Sequence, residues 1–273
     1  MMRDEIRYVN CNNEEVVFGA GHLHYGDTSV HDYEWSYTTV SNRIDTLKRG
    51  VWTFELLAAM RDGSIDERNR MTDVFDYDVR EGTPGTLHIG DYRIDCYCIS
   101  SEKGKWWFDD GRMEAKLKFV TDSRYWKKTT RHEFYAVGGE VSDTGKMYPF
   151  GYPYDYASTK SVESRIEVGG RHAANWRLIV YGPAINPAVR VAGHLHAVRC
   201  TIEDGGYLVV DSERKTALLV GRKGTITNVF NMQDKSSYLF EKLPVGVSDV
   251  LWDNNFGFEF QVDEERSEPE WVV

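Results

Sequence analysis

The chain has 273 residues, 41% apolar and 28% charged, enough to fill a core and solvate a surface, which excludes wholesale disorder. Its 33 basic side chains face 43 acidic ones, a formal charge of −10, so nucleic acid is not the expected partner, because phosphate binding needs clustered cations. A membrane span is excluded as well: the richest apolar stretch, Phe54–Met60, contains Glu55 and falls far short of ~20 apolar residues.

The first sixty residues read as strands. Glu5–Val9 alternates, Glu15–Phe18 is short and apolar, and Asp32–Thr39 interleaves Tyr33, Trp35 and Tyr37 with polar neighbours. Val51–Met60 reads as a strand buried on at least one face. Ser64 to about Val79 reads as a helix, opened by the capping box Ser64-Ile65-Asp66-Glu67. Its expected apolar stripe is Ile65, Met71, Val74, Phe75 and Val79, and Gly82-Thr83-Pro84-Gly85 stops it.

Hairpins follow. Thr86–Ile89 and Tyr92–Ser100 flank a Gly90-Asp91 turn; Trp106–Phe108 and Arg112–Thr121 flank Asp109-Asp110-Gly111. In the latter strand Met113, Ala115, Leu117 and Phe119 share one face, and Glu114, Lys116 and Lys118 the other. Residues 138–163 lose both periods and fill with Gly, Pro and rings, which reads as a connection and places a domain boundary near residue 157. Beyond it the expected strands are Ser164–Val168, Trp176–Tyr181, Ala188–Val191, Ala197–Ile202, Tyr207–Asp211, Ala217–Val220, Val250–Trp252 and Phe256–Val262, a spacing that suits a sandwich. The acidic tail Asp263–Glu270 reads as frayed.

The N-terminus shows no apolar h-region, so no signal peptide is expected, and four scattered cysteines suit free thiols in a reducing cytosol. Rings make up 13% of the chain, a proportion that favours β structure and points toward assembly.

Chemistry-bearing motifs are sparse. His22-Leu23-His24 and His194-Leu195-His196 could each place two imidazoles on one strand face, yet no third zinc ligand is evident. Cys96-Tyr97-Cys98 lacks redox spacing and reads as two buried small hydrophobes. Nucleophile elbows and phosphate loops are missing, and pairs such as Asp109/Asp110 or Glu264/Glu265 read as solvated charge. Lys127 and Lys128, with Arg124, Arg131, Tyr125 and Trp126, form a basic-aromatic cluster that reads equally as a partner contact or a polar loop. No catalytic, cofactor or metal residue is assigned, and no enzyme is expected.

The order of segments carries a resemblance. The capped helix is followed by Gly82-Thr83-Pro84-Gly85-Thr86-Leu87-His88-Ile89-Gly90-Asp91-Tyr92 and then by Phe119-Val120-Thr121-Asp122-Ser123-Arg124-Tyr125-Trp126. This order resembles the N-terminal domain of siphophage distal tail proteins, except that Arg124 stands where family members often carry Pro. In the second half Gly182-Pro183-Ala184-Ile185-Asn186-Pro187, Gly206–Ser212 and Ser236–Gly246 resemble the family's C-terminal domain, with Val245 at a position that is commonly Pro.

The resemblance implies a mainly β fold with one notable helix (α+β). Residues 1–157 would be a β-sandwich-like, ring-forming domain with the helix, and 158–273 a galectin-like β-sandwich. It also implies a homohexameric ring at the baseplate, made in the host cytoplasm and built into the virion. Its implied partners are further copies, the tail tube protein, a tail-associated lysin or tip protein, and receptor-binding proteins. Two other readings compete: a carbohydrate-binding sandwich using Trp106, Trp107, Trp176 and Trp252, although core packing is favoured for each, and a β-sandwich glycoside hydrolase.

Overall fold

The structure is a computed structural model that describes residues 5–19, 23–60, 65–107, 112–136 and 164–271. Among these the chain is mainly antiparallel β with a single α-helix, as the sequence predicts. No described helix is long and apolar enough to cross a membrane. The chain divides into two compact units: residues 1–128 with 265–273, and residues 129–264. The changeovers fall at Lys128/Thr129 and Glu264/Glu265, and the expected boundary near residue 157 lies outside the described residues.

The first unit contains strands β1 (Ile6–Val9), β2 (Glu15–Phe18), β3 (Leu23–Thr28), β4 (Ser36–Val40), β5 (Arg43–Lys48) and β6 (Trp52–Met60). Helix α1 (Ile65–Glu81) follows, then β7 (Gly85–Ile89), β8 (Tyr92–Trp107), β9 (Arg112–Thr121) and the start of β10 (Trp126–Phe134). Strand β8 is continuous where two strands were expected. Its first half pairs β7, and its second half pairs β9 with register shifts near Ser100 and Lys103 that absorb the polar run. β1 joins β2 to β7, and β6 joins β3 to β9. One core, with Phe18, Phe54, Leu117, Phe119 and Trp126 at its centre, is shared by both sets of strands.

Helix α1 presents Met71, Val74 and Phe75 to that core. The expected stripe fails at Val79, which is exposed; the inward position one turn beyond Val74 is Asp78, fully buried. Positions 71, 74, 75 and 78 keep the 3.6-residue period, so the carboxylate takes the place the pattern reserved for an apolar group. Ser64, the expected cap, lies outside the described residues.

The second unit holds the rest of β10, then β11 (Arg165–Val168), β12 (Asn175–Tyr181), β13 (Ala184–Ile185), β14 (Ala188–Val191), β15 (His194–Ala197) and β16 (Thr201–Ile202). β17 (Tyr207–Asp211), β18 (Thr216–Val220), β19 (Ile226–Asn228), β20 (Gly246–Leu251) and most of β21 (Phe258–Arg266) complete it. One sheet runs β19-β18-β17-β12-β21-β10 and another β11-β20-β14-β15. Trp176, Leu178 and Phe260 from the first meet Ile166, Val189 and Val250 from the second in a common core, which makes this unit a sandwich. The expected strand Ala197–Ile202 is instead two short pieces, β15 and β16, each paired elsewhere.

The tail is not frayed. Beyond β21 it returns to the first unit, where the Arg49 guanidinium donates to the Ser267 carbonyl at 3.0 Å, Pro269 is buried and Trp271 stacks on His31 with ring centroids 3.9 Å apart. Ring-stacking and hydrogen-bond contacts of this kind do not depend on an apolar pattern, so an acidic sequence conceals them.

Candidate assembly surface

The side chains that sequence reading singled out do not converge on a reactive centre. His22, Asp109 and Asp110 lie outside the described residues, as do the side chains of Trp106 and Trp107. His24 stands on β3, partly exposed. His194 and His196 do share a face of β15, with centroids 5.1 Å apart. His196 is buried against Trp176, and its Nδ1 lies 2.8 Å from the Leu239 carbonyl. His194 Nε2 lies 2.7 Å from the Tyr238 carbonyl and 2.9 Å from Ser237 Oγ. A carbonyl at that distance requires a donor, so Nε2 carries the proton and cannot take one from Ser237, whose hydroxyl donates to the Leu195 carbonyl. The Ser–His contact is therefore structural.

Cys96 and Cys98 are buried side by side, and burial raises both thiols, Cys98 to about 12, so neither is a thiolate at neutral pH. No group of three or more potential metal ligands occurs among the described residues. The basic-aromatic cluster disperses along β10, which is a strand and not a loop: Trp126 is core, Lys128 pairs Asp91 at 3.0 Å and Arg131 approaches Glu259. Trp176 is buried and Trp252 packs on the same core, so neither offers a ring to a sugar.

Among the described residues, the β4–β5 hairpin gathers several exposed apolar side chains on one ribbon. Ser41 and Asn42 turn it, both with positive φ, as a tight two-residue turn requires. Tyr37 pairs Leu47 and Thr39 pairs Ile44, so Tyr37, Ile44 and Leu47 share one face while Ser36, Arg43 and Lys48 lie on the other. That apolar face is open to water: Tyr37 is 65% exposed, Ile44 63% and Leu47 58%. The two strands form a sheet of their own and pair no other described strand. Isolated two-stranded ribbons are marginal in water, and clustered exposed apolar groups mark contact surfaces. Sequence reading found β4 and missed β5. The signal was there in Ser41-Asn42, but a bulge at Asp45 breaks the alternation of Arg43–Lys48.

Comparison with known proteins speaks to the fold. No family model matches the sequence, and no curated protein sequence matches it significantly. Among solved structures, a chain of the phage P2 baseplate in its activated conformation with Ca aligns over 98% of this chain and 100% of its own, with a TM-score of 0.61 and 15% identity. The same baseplate with Sr gives 0.60 at equal coverage and identity. The SPP1 Dit (gp 19.1) protein, described as a paradigm of hub adsorption apparatus in phages that infect Gram-positive hosts, aligns over 97% of this chain and 100% of its own, with a TM-score of 0.55 and 9% identity. The shared property at such identities is the fold, and it extends over nearly the whole chain.

Proposed function

We propose that this chain is a structural subunit of a phage tail tip, a distal tail hub, which works by burying surface against copies of itself and adjoining tail components. The observation that carries this reading is the end-to-end fold likeness to baseplate and hub chains, joined to an uncovered amphipathic hairpin. A hub needs contacts that repeat from copy to copy, and a head-to-tail contact either closes into a ring or runs on as a filament. The β4–β5 hairpin suits that contact, because laying Tyr37, Ile44 and Leu47 on a neighbouring copy buries rings and aliphatics together. A permanent contact of this class buries on the order of 2,000 Å² or more.

In this reading six copies close the ring through the first unit, residues 1–128 with 265–273, and the second unit is a galectin-like sandwich. The tail tube, a lysin or tip protein and host-binding proteins attach to it, and the protein is made in the host cytoplasm and carried in the virion. No bond is made or broken. Electron microscopy of the purified full-length protein tests the proposal. Closed six-fold rings are the expected image; a field of single particles, or open filaments, counts against it.

A further inference from the structure

In the second unit, residues 236–242 cross strand β15 as a strap that is pinned at both ends and clasped in the middle. Gln233 bridges Val198 before it, and Leu243 bridges Ala174 after it. Over residues 237–239 the hold on β15 comes from side chains. His194 Nε2 donates to the Tyr238 carbonyl at 2.7 Å, His196 Nδ1 to the Leu239 carbonyl at 2.8 Å, and the Ser237 hydroxyl to the Leu195 carbonyl at 2.8 Å. The Trp176 indole adds a bond to the Glu241 carbonyl at 2.6 Å, and Leu239 and Phe240 are buried.

His196 is the clasp that acid can undo. The carbonyl fixes its proton on Nδ1, so Nε2 is bare, and that buried atom has no partner among the described residues. Val189 lies opposite on β14, and Trp176 and Phe260 pack against the imidazole. A second proton would enter at Nε2, where nothing accepts its N–H and no carboxylate answers its charge. Arg177, Glu259 and Asp263 stand on the other face of the sheet that carries Trp176 and Phe260. Arg190 on β14 is exposed; on the strap side Asp234 pairs Arg199 at 3.0 Å, and Lys235, Glu241 and Lys242 are exposed. Among the described residues His194 is the titratable group that acts on His196, and it opposes protonation. His194 can itself gain a proton at Nδ1 without losing its bond to Tyr238, so it is not the trigger.

We propose that the strap is an acid-released clasp: protonation of His196 frees residues 236–242 from β15 while the bridges at either end stay closed. An imidazolium needs two acceptors or water, and the clasped geometry supplies one acceptor, so the proton is taken up as the strap lifts. Local opening hydrates this one buried group while the sandwich strands keep their ladders. Burial holds the clasped His196 down at about 4, whereas an imidazole in water titrates near 6.5, so the opening equilibrium should rise about twentyfold from pH 7 to pH 5. Lifting uncovers Trp176, Leu239 and Phe240, so acid changes the surface that the second unit offers. The device does not rest on the hub reading.

Native-state hydrogen exchange of the full-length protein tests it, read by mass spectrometry over a series of low urea concentrations at pH 7, 6 and 5 and corrected for the intrinsic exchange rate. Residues 237–242 are expected to exchange through an opening that urea barely affects and that grows about twentyfold by pH 5. Leu178–Val180 of β12 should exchange only by the urea-dependent route. His196→Asn, which keeps a donor for Leu239 but does not titrate, should abolish the growth. Ser237→Ala should raise the opening by the same factor at each pH, which checks the strap independently of His196. An opening equal at pH 7 and pH 5, or a strap that exchanges only together with β12, overturns the proposal. So does undiminished growth in folded His196→Asn.

Discussion

The Tyr8 hydroxyl donates to Asp78 Oδ2 at 2.6 Å, joining strand β1 to helix α1 across seventy residues of chain. The other carboxylate oxygen accepts from the Cys11 amide at 2.8 Å, and the Tyr8 hydroxyl also lies 3.2 Å from the Cys96 carbonyl. A buried carboxylate is tolerable only when its oxygens are satisfied, so this pair fixes how the helix sits on the strands.

Removing one member of the pair should cost more than removing an exposed hydrogen bond. Tyr8→Phe leaves Asp78 with an unanswered buried oxygen, at an expected cost of about 1–3 kcal/mol in urea unfolding. Gly85→Ala should act on the same pair from outside. A Cβ there would stand 2.4 Å from Asp78 Oδ2 and 2.5 Å from the Tyr8 hydroxyl, so the midpoint should fall even though alanine is otherwise a benign change.

His196 should make the protein acid-sensitive. Burial holds its pKa down at about 4, against an ordinary value near 6.5, and the neighbouring His194 pushes the same way. Between those values the unfolded chain binds the proton and the folded chain does not. Stability is therefore fully present above about pH 6.5, declines as the pH falls toward 4, and declines no further on this account below that. A shift of this size corresponds to about 3 kcal/mol. Denaturation midpoints measured from pH 7 to 4 should fall for the native protein and stay flatter for His196→Gln.

Arg49 should behave as a clamp. It is buried, its Nη1 donates to the carbonyls of Arg124 and Ser267 at 3.0 Å each, and its guanidinium lies 3.9 Å over the Trp52 ring. Arg49→Lys keeps the charge but not the planar guanidinium laid over Trp52, so it should lose stability by about 1–2 kcal/mol and leave the tail more open to proteolysis. Carboxypeptidase digestion of both proteins checks the second effect.

Thiol reactivity should not follow exposure. Cys11 is exposed, but Asp78 raises its thiol to about 11. Cys96, Cys98 and Cys200 are buried. Alkylation at pH 8 should therefore be slow at Cys11 and negligible at the other three until the chain unfolds; a fast-reacting thiol in the native protein contradicts this.

The parts visible in the sequence were those in which one face is buried and the other wet. Met113–Phe119 alternated cleanly, and Ser64–Val79 showed its helical period. Strand β10 was invisible because its apolar residues, Trp126 and Phe134, stand at its two ends with polar ones between, on a strand whose outward groups are answered by Asp91, Asp263 and Glu259. The unit changeovers gave no signal for a related reason. Gly, Pro and rings mark a loop, yet the chain changes units inside two unbroken strands, β10 and β21, where nothing in the composition shifts. The contact of His196 with Leu239 gave no signal because it joins residues 43 apart, which local patterning does not encode.

The mass of the particle in solution tests the central claim most directly. Light scattering on the full-length 31.4 kDa chain across concentration should reveal a closed multiple of six, and Leu47→Asp, which charges the hairpin face without touching either core, should return it to single copies with an unchanged circular dichroism spectrum. A lone 31.4 kDa species at every concentration, or a multimer indifferent to Leu47→Asp, would contradict the account.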